Sequence, residues 1–140
     1  MRDSISVVIS AYNEGESVNE LHKELSKVMK ELPLKTYELI FVDDGSSDDT
    51  YEKCQKLQKK DSHVKIVHLR RNFGHEIAMT AGMDYAKGDA VVFMDADLQH
   101  PPHYIKDMVK YWQEGDDIVL TKRVENQATS KFYDFCAASF

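Results

Sequence analysis

Apolar and polar positions along this chain change period repeatedly, from runs to helical spacing and back. Residues 5–11 (ISVVISA) form a β-branched apolar run, which predicts a strand, and the turn-like Asn13-Glu14-Gly15 follows it. Val18, Leu21, Leu25, Val28, Met29 and Leu32 then recur at spacings of three and four, which predicts a helix. Ser17 with Glu20 reads as its capping box and Pro33 as its stop. The unit repeats with a strand over 37–42, a turn at Gly45-Ser46-Ser47, and a helix from about 48 to 60 with Tyr51, Cys54 and Leu57 on its apolar side.

A third unit follows: a strand over 64–69, a turn through Asn72 and Gly74, and a small-residue helix containing Ile77, Ala78, Ala81 and Gly82. Residues 90–94, with Val91, Val92 and Phe93 in sequence, read as a strand covered on both faces and therefore central. Pro101-Pro102 opens a further helix with Ile105, Met108, Val109 and Trp112 as its buried stripe, and residues 118–121 give a fifth strand. Five strands alternating with helices predict an α/β fold: a mostly parallel, Rossmann-like sheet wound by right-handed crossovers, with helices on both faces.

Composition narrows the function classes. The 140 residues are 42% hydrophobic and 30% charged, with a net charge of -6, so the chain is neither a disordered acidic tail nor a fibre. One domain of this size buries about two-thirds of its unfolded surface. The acidic balance argues against a protein that coats nucleic acid, which needs a basic face. The first apolar run is too short for a signal peptide, and no stretch approaches the ~20 apolar residues of a membrane span. A soluble, intracellular chain is expected. Cys54 and Cys136 lie far apart without a Cys/His cluster, which suits reduced packing thiols. Neither GxGxxG nor GxxxxGK[ST] is present, which disfavours dinucleotide and P-loop enzymes, and no local signature of a Ser/His/Asp or Cys/His triad occurs.

The candidate chemistry gathers at the carboxyl ends of the predicted strands, where ligands bind in open α/β sheets. Those ends are Tyr12-Asn13-Glu14, Asp43-Asp44-Gly45-Ser46, Arg70-Arg71-Asn72, Asp95-Ala96-Asp97 and Lys122-Arg123. Asp95 and Asp97 stand two residues apart after a buried strand and can share one hard cation, Mg²⁺ or Mn²⁺, with Gln99 as a neutral oxygen donor. Their alternative is helix capping ahead of Pro101. Asp43 and Asp44 can accept hydrogen bonds from a base edge or from ribose hydroxyls, whereas Ser46, Ser47 and Asp48 read as N-capping residues. Tyr12 either stacks on a base or packs, and His75 is the one histidine with a polar approach to a strand end.

Four segments in order, VISAYNE (8–14), FVDDGS (41–46), RNFG (71–74) and DADLQHPP (95–102), resemble the family 2 glycosyltransferases of GT-A fold, over about residues 4–130. RNFG and DADLQHPP are similar to the polyisoprenyl-phosphate branch, which includes dolichol-phosphate mannosyltransferases and undecaprenyl-phosphate glycosyltransferases. The resemblance implies a hexosyltransferase that takes sugar from a UDP- or GDP-hexose, inverts the anomeric centre, and uses a polyisoprenyl phosphate acceptor in cell wall biosynthesis. It implies a nucleotide-sugar pocket of Ser10, Tyr12, Glu14, Asp43, Asp44 and Asp95, and a metal held by Asp95 and Asp97 as the DXD motif, with Gln99. It also places Arg123, assisted by Lys122, on the acceptor phosphate, so that Asp95, Asp97 and Arg123 carry the catalytic load. Ser10 departs from the family, which usually has proline there.

Members of the branch continue well past this length into amphipathic helices, often followed by membrane spans. The expectation is therefore a nucleotide-sugar-binding domain over 1–128, the start of an amphipathic helix over 129–140, and a chain truncated there. In that helix Phe132, Phe135, Cys136 and Ser139 share a side. The full-length protein would sit at the inner face of the membrane, on the cytoplasmic side, bind no nucleic acid, and could form a homo-oligomer. Three other readings stay open: a family 2 enzyme with a polysaccharide or other soluble acceptor, a donor-binding fragment without turnover, and a metal-dependent phosphatase or nuclease.

Overall fold

β-branched and aromatic residues with alternating faces set the first strand, β1 (Ser4–Ala11), and the second, β2 (Thr36–Asp43). The computed structural model describes residues 2–98, 101–125 and 131–138, with side chains for 2–98 and 101–117. The chain divides into two compact units, Met1–Pro102 and His103–Phe140.

In the first unit β1, β2, β3 (Val64–His68) and β4 (Ala90–Asp95) form a parallel sheet in the order β3-β2-β1-β4. The chain steps outward from β1 to β3 and then returns to the far side of β1, so the strand order reverses between β1 and β4. Helices α1 (Val18–Glu31), α2 (Thr50–Lys60) and α3 (His75–Tyr85) make the crossovers. Each begins just beyond the carboxyl end of a strand.

α3 lies close on β1. Ala78 packs with Val8, Ile40 and Val42 in one core cluster, and a Cβ on Gly82 would come within 2.4 Å of a Val8 methyl. Only a residue without a side chain fits that approach. Val7, Ile9, Leu39 and Phe41 alternate onto the opposite face and are fully buried. That face is the one left for α1 and α2, which pack on each other, with α2 against β2 and β3. Cys54 is buried in α2, and burial, then the charge of Asp43, pushes its thiol up to about 12, so it is a packing thiol.

The structure corrects the expectations for β4, the α1 cap and the fifth strand. β4 is not central; it forms the edge of the four-stranded sheet, and Phe93 is 44% exposed. An apolar run reports β-propensity and not how many neighbours a strand has, and the continuous burial belongs to β1 and β2. Ser17 is the N-cap of α1 but makes no side-chain cap bond; its hydroxyl serves Glu14 instead. Finally, the fifth strand does not join the parallel sheet.

In the second unit α4 (Tyr104–Gln113) packs on a ribbon of β5 (Ile118–Glu125) and β6 (Lys131–Ala138), which pair antiparallel. Ile105, Val109 and Trp112 are the buried side of α4. A strand therefore stands where a helix was expected from residue 129. The positions 132, 135 and 136 satisfy a helical stripe, but Phe132, Tyr133 and Phe135 are also strong strand formers, and pairing with β5 decides between them. No helix among the described residues is long and apolar enough to cross a membrane.

Candidate active site

The carboxyl ends of β1 and β4, where the strand order reverses, open into a cleft of about 390 Å³. Its walls include Ser10, Tyr12, Glu14, Asp44, Asp95 and Asp97. Asn72, Gly74 and His75 complete it from the turn that leads into α3.

Hydrogen bonds between the turn after β1 and the turn after β2 fix this wall. Asn13, at a φ of 53°, accepts on Oδ1 from the amides of Ser47 (2.8 Å) and Asp48 (3.3 Å), while its own amide donates to Ser46 Oγ at 2.9 Å. The Glu14 amide donates to Thr50 Oγ1, the Gly15 amide to Asp48 Oδ2, and Lys53 Nζ to the Gly15 carbonyl at 2.6 Å. Ser46 and Ser47 thus hold the neighbouring turn, and Asp48 accepts from the Thr50 amide at the start of α2. Burial raises the Asp48 carboxyl, but bonds from the Thr50 hydroxyl and amide and from Gly15 outweigh it and hold the carboxyl below its ordinary value.

The Asp43-Asp44 pair splits into two roles. Asp43 is fully buried: Oδ2 bonds His68 Nδ1 at 2.8 Å and Oδ1 accepts from the Ser46 amide. It braces the turn from behind, with both oxygens engaged inside the protein, and is not among the residues that line the cleft. Asp44 lines the cleft, yet it is 2% exposed, because it gathers the RNFG turn. Its carboxylate accepts from the amides of Phe73 (2.8 Å) and Gly74 (3.1 Å) and from Asn72 Nδ2 (3.2 Å). Gly45, at a φ of +70°, lets the two turns touch, since a Cβ there would lie 2.2 Å from the Arg71 carbonyl carbon.

The opposite wall continues from β4. The Ala96 amide donates to the Ser10 carbonyl, extending the β1–β4 ladder, and Leu98 turns the chain away at a φ of 63°. Asp95 and Asp97 therefore flank one residue fixed to β1. His75, the first residue of α3, places Nε2 2.5 Å from Asp95 Oδ1. Tyr12 is 48% exposed, so of its two readings packing is excluded. Burial raises the Glu14 carboxyl above its ordinary value, Asp97 raises it further, and Asp48 and Asp95 add to this against the bond from Ser17. Acids from three turns thus share one field.

A hard divalent cation fits that donor set. Among the described residues no three His, Cys, Asp or Glu side chains converge as a complete metal site. Mg²⁺ and Mn²⁺ bind through one or two carboxylates together with substrate phosphates, and Asp95 with Asp97 supply the two. Gln99 lies outside the described residues. Lys122 and Arg123 stand on β5 in the second unit, and their side chains lie outside the described part. The His75–Asp95 contact and the Asp44–Asn72 bond were not legible as pairs. Their only signal was the RNFGH run after the third strand, which gives the residues and not their partners.

The family model "Glycosyl transferase family 2" matches residues 6–136. The undecaprenyl-phosphate 4-deoxy-4-formamido-L-arabinose transferase of Proteus mirabilis is 43% identical over 126 residues, which are 89% of this chain and 38% of the relative. S. aureus TarS 1-349 in complex with UDP-GlcNAc superposes with a TM-score of 0.72 at 26% identity, covering 91% of this chain and 36% of the TarS 1-349 chain. The mannosyltransferase PcManGT of Pyrobaculum calidifontis, solved with GDP-Man and Mn²⁺, shares the fold at a TM-score of 0.65 and 20% identity, over 81% of this chain and 32% of its own. The fold is the GT-A fold of these neighbours. The chain spans about two fifths of the length of the curated relatives it matches.

Proposed function

The chain belongs to glycosyl transferase family 2, and from that membership we propose that it is the donor-binding part of an inverting, metal-dependent enzyme moving a hexose from a UDP- or GDP-sugar to a polyisoprenyl phosphate. The observation that carries this reading is the meeting of Tyr12, Glu14, Asp95 and Asp97 in one cleft at the point where strand order reverses. The Proteus relative, named for transfer to undecaprenyl phosphate, supports the acceptor class.

Tyr12 offers an exposed ring for the base. Ser10 and Glu14 face the ribose, and Asp44 keeps the Asn72–Gly74 turn against the sugar nucleotide. Asp95 and Asp97, with Gln99, would hold the divalent ion; when bound it supplies Lewis-acid charge for the diphosphate leaving group. His75 fixes the orientation of the Asp95 carboxylate through its 2.5 Å contact. In the transfer the bond between the anomeric carbon and the β-phosphate oxygen breaks, and its electron pair leaves on the nucleoside diphosphate. An acceptor phosphate oxygen forms the new bond from the opposite face. The acceptor phosphate, with a second pKa of about 6, is already largely ionised at neutral pH, so it needs positioning by Arg123 and Lys122 more than a base.

Calorimetric titration with UDP and with GDP, each with and without Mn²⁺, tests the donor half. Binding of one nucleotide that needs Mn²⁺ and is lost in Asp97→Ala is expected. No heat from either nucleotide would overturn the reading. Lipid extraction of products formed with undecaprenyl phosphate or with soluble sugar acceptors then distinguishes the acceptor classes.

A further inference from the structure

The amino ends of the same four strands form a second cleft, also of about 390 Å³, at the opposite edge of the sheet. It takes one short segment from the entrance to each strand, including Thr36 and Glu38 of β2, Ser62, His63 and Lys65 at β3, and Lys87-Gly88 ahead of β4. None of the segments 8–14, 41–46, 71–74 and 95–102 falls on these residues.

Two lysines and one glutamate give its wall a small net positive charge. Lys65 and Lys87 are both exposed, and neither enters an ion pair among the described residues. His63 stacks flat on Tyr37, with ring centroids 4.0 Å apart, and gives Nδ1 to Asp61 at 2.8 Å, so Nε2 is its remaining polar atom. The one acid in the wall is already engaged: Glu38 Oε2 accepts from Ser6 Oγ at 2.5 Å and from the Lys87 amide at 2.7 Å. Asp89, nearby on the same turn, accepts from the amides of Asp3 and Ser4.

The backbone that carries Lys87 is clamped. The Gly88 amide donates to Ser6 Oγ at 2.8 Å, and a Cβ at Gly88 would lie 2.6 Å from the Ser6 nitrogen. A glycine is needed for that turn to lie against β1. One lysine thus rises from a fixed turn and the other from a paired strand.

We propose that this amino-edge cleft binds a small phosphate-class anion between Lys65 and Lys87, with Ser62 and Thr36 as hydrogen-bond donors. Lysine ammonium groups act on phosphate as point charges and do not need bidentate geometry. The anion is either a soluble phosphate or phosphomonoester, or the phosphate of a membrane lipid. The inference does not depend on the donor cleft, and its failure would leave that reading untouched.

Amide shifts of the ¹⁵N-labelled chain are followed during titration with inorganic phosphate, against sodium chloride at matched ionic strength. Saturable shifts at residues 62–65 and 87–88 are expected, with affinity at least tenfold weaker in the double variant Lys65→Gln/Lys87→Gln. Sedimentation with phosphatidylglycerol and phosphatidylcholine vesicles separates the sources: retention on the anionic vesicles alone, lost in the double variant, identifies a lipid phosphate. Circular dichroism and Mn²⁺–UDP heats in the double variant should match the parent, which separates loss of the site from loss of the fold. Shifts that follow chloride, or are unchanged in the double variant, with no vesicle retention, overturn the proposal.

Discussion

The two edges of this sheet are built on the same four strands and hold clefts of equal size, yet their chemistry is opposite. The carboxyl-edge cleft is lined by Glu14, Asp44, Asp95 and Asp97 with a single histidine; the amino-edge cleft is lined by Lys65 and Lys87 with a single glutamate, and Asp61 lies behind its His63. Strand direction explains much of the difference. In a parallel sheet every helix starts beyond the carboxyl edge and ends beyond the amino edge, so the positive ends of the helix dipoles favour acids at one and bases at the other. The helices follow the same rule: Glu20, Glu52 and Glu76 lie in first turns, and Lys30, Lys59 and Lys60 in last turns. Crowding then sets individual carboxyls apart. Glu14 is raised by burial and its acidic neighbours. Asp61, near the amino edge, is raised by burial but lowered more by bonds from the His63 amide and the His22 and His63 rings, which hold it at about 2.

Substitutions that break this contrast should differ in kind and size. Asp44→Ala should have the largest effect on folding, because it leaves the amides of Phe73 and Gly74 without their acceptor; a loss of about 3 kcal/mol is expected in chemical denaturation. Asp97→Ala should weaken Mn²⁺-dependent nucleotide binding by about a hundredfold, or ~2.7 kcal/mol, read by calorimetry. The pair separates a carboxylate that organises the wall from one that meets the ligand.

Smaller effects test the charge balance. Asp61 has a folded value below its ordinary 3.8, so its contribution is full above pH 3.8 and is lost as pH falls towards 2. Asp61→Asn should cost about 1 kcal/mol at pH 7, and its melting temperature should converge with the parent's in acid. Glu14 has the opposite sign: its raised carboxyl favours folding below pH 4.5, and that advantage disappears as pH rises through the folded value. Without metal, Glu14→Gln should therefore stabilise the chain at pH 7 by about 0.5 kcal/mol, with no gain at pH 4.

Four strands, three crossovers and most of the carboxyl-edge cleft were legible in the sequence, because strand runs end directly in the residues that line it. Ser10, Tyr12, Glu14, Asp44, Asp95 and Asp97 line one cleft. Adjacent residues on a strand point to opposite faces, however, and that parity turned Asp43 inward while Asp44 reached the cleft. β4 read as central because propensity does not count neighbours, and residues 131–138 read as helical because aromatic positions fit both periods. The amino-edge cleft left no signal at all. Its residues come from four separate strand entrances, and only the parallel register brings Lys65 and Lys87 to one edge.

The central claim is that the metal and nucleotide belong to the carboxyl edge alone. Paramagnetic broadening of amide signals by substoichiometric Mn²⁺ in the presence of UDP or GDP tests it most directly, since the eight residues of β1 separate the edges by about 26 Å. The signals of Tyr12, Asn13, Glu14, Asp95, Ala96 and Asp97 should vanish first, while those of residues 62–65 and 87–88 stay sharp. Broadening that begins at the amino edge, or that spreads evenly over both, would contradict the account.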